Sequence, residues 1–401
     1  MPISLPTKTE TSASAGGKRP RQYSLAARLG VILSIGLVVI VAGMVIADPI
    51  HRSVSAGYLE AAIRFRQGEP LYNPEASSGF LYLPAFAVAY LPLSVLGFTL
   101  GDLVWRAATL ALLAFAMLRV VRRLEPKNEQ LEILGLALLI ALVGAAGAVR
   151  NGQSTILLLS TTLLAFDAAY DRKFAKAAAW VTLAVLAKPL GIVVWLLIGG
   201  TRPAALPWLL GFLTVALAAP YAVADPAYVN AQYVEFIEVL LNISPEQGKV
   251  AAWTDFMAIF RALDLAIDQE VAYAIRAIAA VLTFAAVLIL TRRRDYLTAA
   301  MFPATLACSY MLLFNPRAET NTYMLMAVPF GLLAAYMLRE TKHIAAGRAV
   351  VIACVALATG ALGRMVMDTF DPWSKPLLLI FVLTVCGVSL LRGKLFSPTS
   401  P

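Results

Sequence analysis

Four basic residues stand at the ends of apolar runs, where a positive charge is costly to hold. They are Arg150, Lys188, Arg276 and Arg317. A charged side chain at membrane depth costs about 3 kcal/mol unless it is paired or hydrated. Arginine offers a bidentate fork to phosphate oxygens, and lysine offers a point charge. The set therefore predicts a site for a phosphate or pyrophosphate. Alternatively, each residue caps a helix C-terminus or reaches out to the membrane interface.

Acidic residues near the same ends of the apolar runs are candidate general bases. Asp48 follows the first apolar run, directly before a proline, and could take a proton from a hydroxyl. Glu60 lies on an amphipathic stretch and is the second candidate. The alternatives are a helix-ending Asp-Pro turn for Asp48 and a solvated helix face for Glu60. Asp255 and Glu319 are further candidates, and Glu319 could instead pair with Arg317.

The composition is that of a membrane protein. Of the 401 residues, 60% are hydrophobic and 14% are charged, against about a quarter charged in ordinary soluble domains. Long apolar runs recur from residue 29 to residue 391, and such runs can cross a hydrocarbon core about 30 Å thick. The formal charge of +9 indicates the Lys/Arg excess of cytoplasmic loops rather than nucleic-acid binding.

Metal and disulfide chemistry are not expected. The three cysteines, Cys308, Cys354 and Cys386, lie inside apolar runs, where a thiol behaves as a small hydrophobe. The two histidines are far apart in the sequence. The sequence contains neither a phosphate-binding glycine loop nor a nucleophilic triad motif. We therefore expect neither a metal site nor a cofactor.

The distribution of charge predicts the topology. With the basic N-terminal stretch inside, the loops rich in Arg and Lys all fall on the cytoplasmic side, as the positive-inside rule requires. The sequence thus predicts an all-α polytopic membrane protein of about twelve transmembrane helices with both termini cytoplasmic. The predicted spans are 29–47, 103–121, 131–149, 155–169, 177–187, 192–200, 206–222, 271–290, 297–314, 323–338, 350–367 and 376–391.

Two predicted outer segments, 48–102 and 223–270, are too long to be simple connectors. Structureless loops of such length are uncommon unless they are functional. We expect both to carry interfacial helices and to fold over one outward-facing site. Residues 83–96, with two prolines, are expected to lie at the outer interface, since a crossing there would reverse the charge asymmetry. The short pair of spans broken at Lys188-Pro189 is typical of helices that line cavities.

A series of short motifs resembles glycosyltransferase family 87, whose members are integral-membrane enzymes of the GT-C class. The resemblance covers residues 58–329 and depends on the order and spacing of the motifs. These are Tyr58-x-x-Ala61-Ala62, Gly68-Glu69-Pro70-Leu71-Tyr72-Asn73-Pro74, Tyr82-Leu83-Pro84-x-Phe86, Leu91-Pro92-Leu93, Trp105, Asn151-Gly152-Gln153, Lys188-Pro189, and Asn315-Pro316-Arg317 before Tyr323 and Pro329.

The resemblance implies transfer of a hexose, often mannose, from a polyprenyl-phosphate donor to an outer-face glycolipid or polysaccharide, with inversion. In the family, an acid a few residues before the Tyr-x-x-Ala-Ala element serves as base. Here Ser53 and Val54 stand at that place, and the nearest upstream acid is Asp48. We therefore predict Asp48 as the base, with Glu60 as competitor. The predicted ligands of the donor phosphate are Arg317, Lys188 and Arg150, and the predicted substrate-binding residues are Tyr72, Tyr82, Gln153, Asp255 and Glu319.

The predicted organisation is a disordered cytoplasmic tail (1–28), one transmembrane catalytic domain (29–391) and a short cytoplasmic tail (392–401). No clear cleavage site accompanies the first apolar run, so it is expected to be a retained anchor in the bacterial inner (plasma) membrane. The expected partners are the lipid-linked sugar donor, the acceptor and membrane lipid, with no nucleic acid.

Two further classes of function remain open from the residues. A secondary transporter or lipid flippase would also have a dozen helices and broken spans, but transporters typically repeat broken helices in two related halves. Here one pair is broken, and the long loops lie on one face. A non-catalytic partner in envelope polysaccharide assembly is the third interpretation, because the acid of the first outer segment is displaced.

Overall fold

The computed structural model describes residues 24–50, 53–72, 80–125, 129–242, 253–340, 343–357 and 364–395. Most of the predicted N-terminal tail and part of the C-terminal tail lie outside these ranges. Within them the chain is helical, without strands. The α-helices are α1 (Ser24–Ala47), α2 (Ser55–Gln67), α3 (Pro84–Ser94), α4 (Phe98–Leu124), α5 (Gln130–Asn151), α6 (Thr155–Tyr170), α7 (Phe174–Ala187), α8 (Ile192–Thr201), α9 (Leu206–Ala218), α10 (Pro226–Asn242), α11 (Met257–Ala262), α12 (Gln269–Leu290), α13 (Phe302–Leu313), α14 (Met324–Arg339), α15 (Ile344–Ala356) and α16 (Arg364–Leu395).

Seven helical stretches in the described ranges are long and apolar enough to cross a membrane. They are Leu25–Ala47, Phe98–Leu124, Gln130–Asn151, Pro203–Ala222, Gln269–Leu290, Thr320–Arg339 and Pro372–Leu390. The other five predicted spans correspond to shorter apolar helices, so the count of twelve stays a prediction. The predicted span 350–367 is not one continuous helix, because α15 ends at Ala356 and α16 begins at Arg364; residues 358–363 are outside the described ranges.

The centre of the bundle is α14, nearly all of whose side chains are buried. It packs against α5, α13 and α15, whereas α1 packs mainly on α5. A Cβ on Gly135 would lie 2.2 Å from the Ala27 carbonyl oxygen, so α1 and α5 approach as closely as small residues allow. The peripheral helices α1 and α12 leave large apolar side chains exposed, among them Ile32 at 62% and Val281 at 67%. This distribution suits helices that face lipid.

The turns between helices gather at two ends of the bundle. We call the first the basic end; it comprises residues 119–125, 129–132, 167–174, 201–205, 291–296 and 339–340. Contacts among distant residues define it: the Tyr170 hydroxyl donates to the Arg294 carbonyl at 2.6 Å, and Arg339 pairs with Glu129 at 2.8 Å. These are the loops that the charge distribution predicted to share one face, and the structure brings them together.

The second end, which we call the site end, comprises residues 47–50, 53–72, 80–106, 149–155, 187–191, 253–276 and 314–323. Both ends of α3 lie here. Tyr82, just before α3, bonds to Ser154, and the Leu93 carbonyl, at the end of α3, lies against Gly101. The α3 helix therefore begins and ends at the site end; that 83–96 lies at the outer membrane interface stays a prediction.

Candidate functional site

A buried ion pair on α4 organises the site end. The Arg106 Nε–H donates to both carboxylate oxygens of Asp102 at 2.9 Å, and the two side chains are 6% and 2% exposed. Arg106 also donates through Nη1 to the carbonyls of Val149 and Arg150, both at 2.7 Å. Ser55 donates to Asp102 at 2.5 Å. The ion pair thus ties α4 to the end of α5 and the start of α2.

Ser53, at the place where the resemblance suggested an acid, is part of the same network. Its hydroxyl accepts a hydrogen bond from Arg106 Nη2 at 2.9 Å and donates to Asp102 at 3.3 Å. The carboxylate near this position is therefore contributed by α4, at the end of the 48–102 segment, and not by the residues just before α2. Sequence reasoning missed Asp102 and Arg106, although an Asp and an Arg four residues apart in an apolar helix are a signal in themselves.

The Asn151-Gly152-Gln153 motif is the turn against which Arg106 packs. Gly152 has φ of 63° and ends α5, a left-handed conformation that glycine adopts without strain. A Cβ there would lie 2.9 Å from the Arg106 guanidinium carbon. The Trp105 indole donates to the Gly152 carbonyl at 2.9 Å. Gly152 is thus required by the backbone conformation and by the close approach of Arg106.

Asp48 and Arg150 lie in one cleft, at the end of α1. The cleft measures about 180 Å³ and is lined by Met44, Val45, Ala47, Asp48, Pro49, Ser53, Arg106 and Arg150. The Asp48 backbone N–H still bonds to the Met44 carbonyl at 2.9 Å, so Asp48 ends the helix as the alternative interpretation described. Of the predicted basic ligands, the cleft contains Arg150 and neither Lys188 nor Arg317.

A second cluster is aromatic and joins three motifs of the sequence. The hydroxyls of Tyr58 and Tyr82 lie 2.9 Å apart. Tyr58 accepts a hydrogen bond from the Ser154 backbone N–H at 3.1 Å, and the Ser154 hydroxyl bonds to Tyr82 at 3.1 Å. The rings of Tyr58, Phe86 and Trp105 meet edge to face. Burial raises the pKa of both tyrosines, so their hydroxyls stay protonated at neutral pH.

The segments 48–102 and 223–270, both predicted to be outer, contact each other through α10. The Leu71 backbone N–H donates to the Gln232 side chain at 2.7 Å, and the Tyr228 hydroxyl donates to the Glu69 carbonyl at 2.8 Å. Tyr72, predicted to bind substrate, donates its hydroxyl to the Tyr82 carbonyl at 2.6 Å. It is 5% exposed. Tyr72 therefore holds Tyr82 in place.

Arg317 belongs to a third cluster, in which residues 253–255 are held against the loop between α13 and α14. Its guanidinium lies 5.3 Å from the centroid of the Trp253 ring. Thr254 donates twice to the Ala318 carbonyl, from N–H at 2.8 Å and from its hydroxyl at 2.9 Å. Tyr323 donates to the Thr254 carbonyl at 2.7 Å. These contacts fix the loop that carries the Asn-Pro-Arg motif.

Asp255 and two further arginines complete this third cluster. Asp255 pairs with Arg261 at 2.7 Å and with Arg276 at 3.7 Å. Burial raises the pKa of the Asp255 carboxyl, while the two arginines lower it. Lys375, which sequence reasoning missed, is 1% exposed and lies 5.6 Å from the centroid of the Tyr323 ring. Its signal was a lysine directly before the last predicted span.

Lys188 and Glu319 interact electrostatically but form no ion pair. Lys188 stands between α7 and α8, at the predicted break, where a 3-10 turn (Pro189–Gly191) follows it. Burial lowers the pKa of the Lys188 ammonium, and the charge of Glu319 raises it. No hydrogen bond or ion pair within the described ranges involves either side chain. The alternative pairing of Glu319 with Arg317 is thus not formed.

The remaining predicted residues, Glu60 and Gln153, bond to neighbours on or beside their own helices. Glu60 is on the exposed face of α2, 61% exposed, and pairs with Arg64 at 2.6 Å. Gln153 is 6% exposed and accepts a hydrogen bond from Thr155 at 3.4 Å. The described residues contain no group of three or more His, Cys, Asp or Glu side chains that could hold a metal ion.

Comparison with known proteins supports one family. The model of glycosyltransferase family 87 matches residues 80–316, more than half of the chain. The match begins just before Tyr82 and ends within the Asn-Pro-Arg motif, and so includes α4, the Asn151–Gln153 turn and Lys188. A search of curated proteins and a search of solved structures each gave no match. With its apolar helices and this match, the chain belongs to glycosyltransferase family 87, a family of membrane glycosyltransferases.

Proposed function

We infer that the protein transfers a hexose, with mannose the first to test, from a polyprenyl-phosphate donor to a glycolipid or polysaccharide acceptor. The family supports the reaction class, and the transfer inverts the anomeric centre. The observation that carries the inference is Lys188, a partly buried ammonium without a bonded partner in the described ranges. A lysine at membrane depth needs an anion, and a polyprenyl phosphate arriving from the bilayer supplies one.

The donor phosphate is bound by Lys188 and by Arg317. Both belong to the site end, and Glu319, which acts electrostatically on Lys188, is two residues from Arg317. Arg317 lies over Trp253, and its planar guanidinium is of the type that bonds phosphate bidentately. Arg150 lies with Asp48 in the separate cleft, and its role in this proposal is to bind the acceptor side.

The experiment is transfer by purified protein in lipid nanodiscs. Radiolabelled polyprenyl-phosphate mannose is supplied with a lipid extract as the source of acceptor, and polyprenyl-phosphate glucose is supplied in parallel. We expect label to move from one of the two donors into a new glycolipid or polysaccharide, with the opposite anomeric configuration. Release of label only as free sugar, or no consumption of either donor, contradicts the proposal. Movement of intact donor across vesicles would instead indicate a flippase.

The site end is proposed to face outward, away from the cytoplasm of the bacterial plasma membrane. Single cysteines at Gln67 and Arg292 test this, because both residues are exposed and lie at opposite ends. The three native cysteines are buried and should label weakly. In spheroplasts an impermeant thiol reagent should label Gln67→Cys and spare Arg292→Cys. The reverse pattern would contradict the outward orientation.

A further inference from the structure

The acids of the site end differ in what their carboxylates already bond. Asp102 is held by Arg106 and Ser55, and Asp255 is held by Arg261. Glu60 is held by Arg64. A general base must reach the proton of its substrate within about 3 Å and must not be committed to a cation. Each of these three carboxylates is therefore paired with an arginine.

Glu319 has a fixed backbone and an unbonded side chain. Its carbonyl accepts the Thr322 N–H at 2.8 Å, and the preceding carbonyl accepts from Thr254. Asn321, two residues on, lies so close to α5 that a Cβ on Gly147 would be 2.3 Å from its amide oxygen. The carboxylate itself is exposed and has no hydrogen bond to any residue that the structure describes. Glu319 is thus an accessible carboxylate on a fixed backbone.

The neighbours of Glu319 are the residues expected around a donor. Its loop packs on α5, where Asn321 lies against Gly147, and the turn after α5 carries Ser154, which bonds to Tyr82. Val185, one turn before Lys188, packs in the same cluster as Leu83, next to Tyr82 in the sequence. The charge of Glu319 acts on both Lys188 and Tyr82. Glu319 and Lys188 therefore carry opposite charges that interact without an ion pair between them.

We propose that Glu319 is the general base of the transfer and that Lys188 neutralises the leaving phosphate. The acceptor hydroxyl gives its proton to the Glu319 carboxylate as its oxygen bonds to C1 of the hexose. The bond from C1 to the phosphate oxygen breaks, and its electron pair leaves with the polyprenyl phosphate, whose second negative charge Lys188 balances. Glu319, being exposed, returns the proton to water. This assignment rests on the proposed function.

Asp48 is the competing assignment, and its surroundings are different. Its cleft contains two arginines, Arg106 and Arg150, and lies at the end of α1. Asp48 also has an interaction of its own. In this arrangement Asp48 and Arg150 shape the acceptor side, and Glu319 takes the proton.

The test separates turnover from donor binding. Glu319→Gln keeps the shape of the side chain and removes the base, so kcat should fall by about a hundredfold or more. Binding of radiolabelled polyprenyl phosphate should stay within threefold of the native protein. Glu319→Asp should recover part of kcat, and the acidic limb of the native pH profile should be absent in Glu319→Gln. The matched control is Glu238→Gln, an exposed glutamate on α10.

Several results would overturn the assignment. Native turnover in Glu319→Gln excludes Glu319 as the base, and if Asp48→Asn is inactive in the same assay the base is Asp48. Equal loss of polyprenyl-phosphate binding and turnover in both Glu319 variants would mean that Glu319 only shapes the donor site. If the native protein consumes no polyprenyl-phosphate hexose, the proposed function itself is wrong. That result is distinct from one in which the native protein is active and only the assignment of Glu319 is wrong.

Discussion

The two ends of the bundle use charge in opposite ways. At the basic end, Asp167 is bonded by Arg119 at 3.0 Å and by Arg123 at 3.2 Å. Asp171 is bonded by Lys173 at 2.8 Å. These carboxylates are saturated by cations from α4 and the α6–α7 turn. The charges of the basic end therefore pair both carboxylates with cations and hold helices together.

The site end contains a fully bonded ion-pair network and, apart from it, two charged side chains that form no ion pair within the described ranges. The Asp102–Arg106 pair is as fully bonded as any at the basic end. Lys188 and Glu319, by contrast, interact only through space. Because a paired charge stabilises a fold and an unpaired one costs free energy, the unpaired residues are the ones to examine for function. Four substitutions test this contrast.

Loss of the buried carboxylate of α4 should have the largest effect. Asp102→Asn leaves the Arg106 guanidinium buried without its counter-ion, and removal of one partner from a buried pair costs about 3–5 kcal/mol. We expect a clear fall in the thermal unfolding midpoint in detergent, together with loss of activity. Glu238→Gln, on exposed α10, is the control. An unchanged midpoint in Asp102→Asn would show that the pair does not stabilise the site end.

Loss of the Lys188 ammonium should strongly reduce use of the donor without unfolding the protein. Removal of one preorganised charge from a site costs about a hundredfold to a thousandfold in rate. We therefore expect kcat/KM for the lipid-linked donor to fall by about a hundredfold in Lys188→Met. Lys173→Met, which removes a lysine bonded to Asp171 at the basic end, should change it little. Equal effects of the two substitutions would show that the two ends do not differ in their importance for donor use.

Loss of a saturated carboxylate at the basic end should affect stability alone. Asp167→Asn removes the acceptor of Arg119 and Arg123, whose side chains are 36% and 29% exposed and can reach water. We expect a loss of about 1–3 kcal/mol, seen as a lower unfolding midpoint. Turnover per folded molecule should stay native. A selective loss of turnover would place chemistry at the basic end.

The smallest effect concerns alkaline pH. Because burial lowers the pKa of Lys188, partly offset by Glu319, the ammonium loses its proton at a lower pH than an ordinary lysine. Binding of polyprenyl phosphate should then weaken as pH rises through this lowered pKa. In Lys188→Arg the side chain stays charged at alkaline pH. The loss of polyprenyl-phosphate binding at high pH should therefore be absent in this variant, whatever its affinity at neutral pH. A loss of binding at high pH that is identical in both proteins would exclude Lys188 as its source.

Much of the helical architecture follows from local patterns. The amphipathic stretch 55–67 is helix α2, and the break at Lys188-Pro189 is present because proline lacks an N–H and disfavours the helical conformation of the residue before it. The family was recognisable from the order of short motifs. The twelve spans remain a prediction, because length and apolarity alone do not show that the shorter helices cross.

The candidate site depended on contacts that no local pattern contains. Arg317 and Lys188 were selected from sequence as phosphate ligands together with Arg150, but the structure places Arg150 beside Asp48. Glu60 was selected from an amphipathic helix, and its side chain turned out to be on the exposed face. A hydrophobic pattern shows which residues are on one face, but it does not show what that face meets.

The sequence by itself determined that this chain is a helical membrane protein, where its helices break and to which family it belongs. Those properties depend on apolar periodicity, prolines and motif order, all of which act over a few residues. Only the tertiary structure decided that Arg106 donates hydrogen bonds to carbonyls at the end of α5 and that the charge of Glu319 acts on Lys188. These partners are far apart in the sequence, and their approach is set by the packing of helices against each other, which close contacts such as that of Gly135 with Ala27 determine.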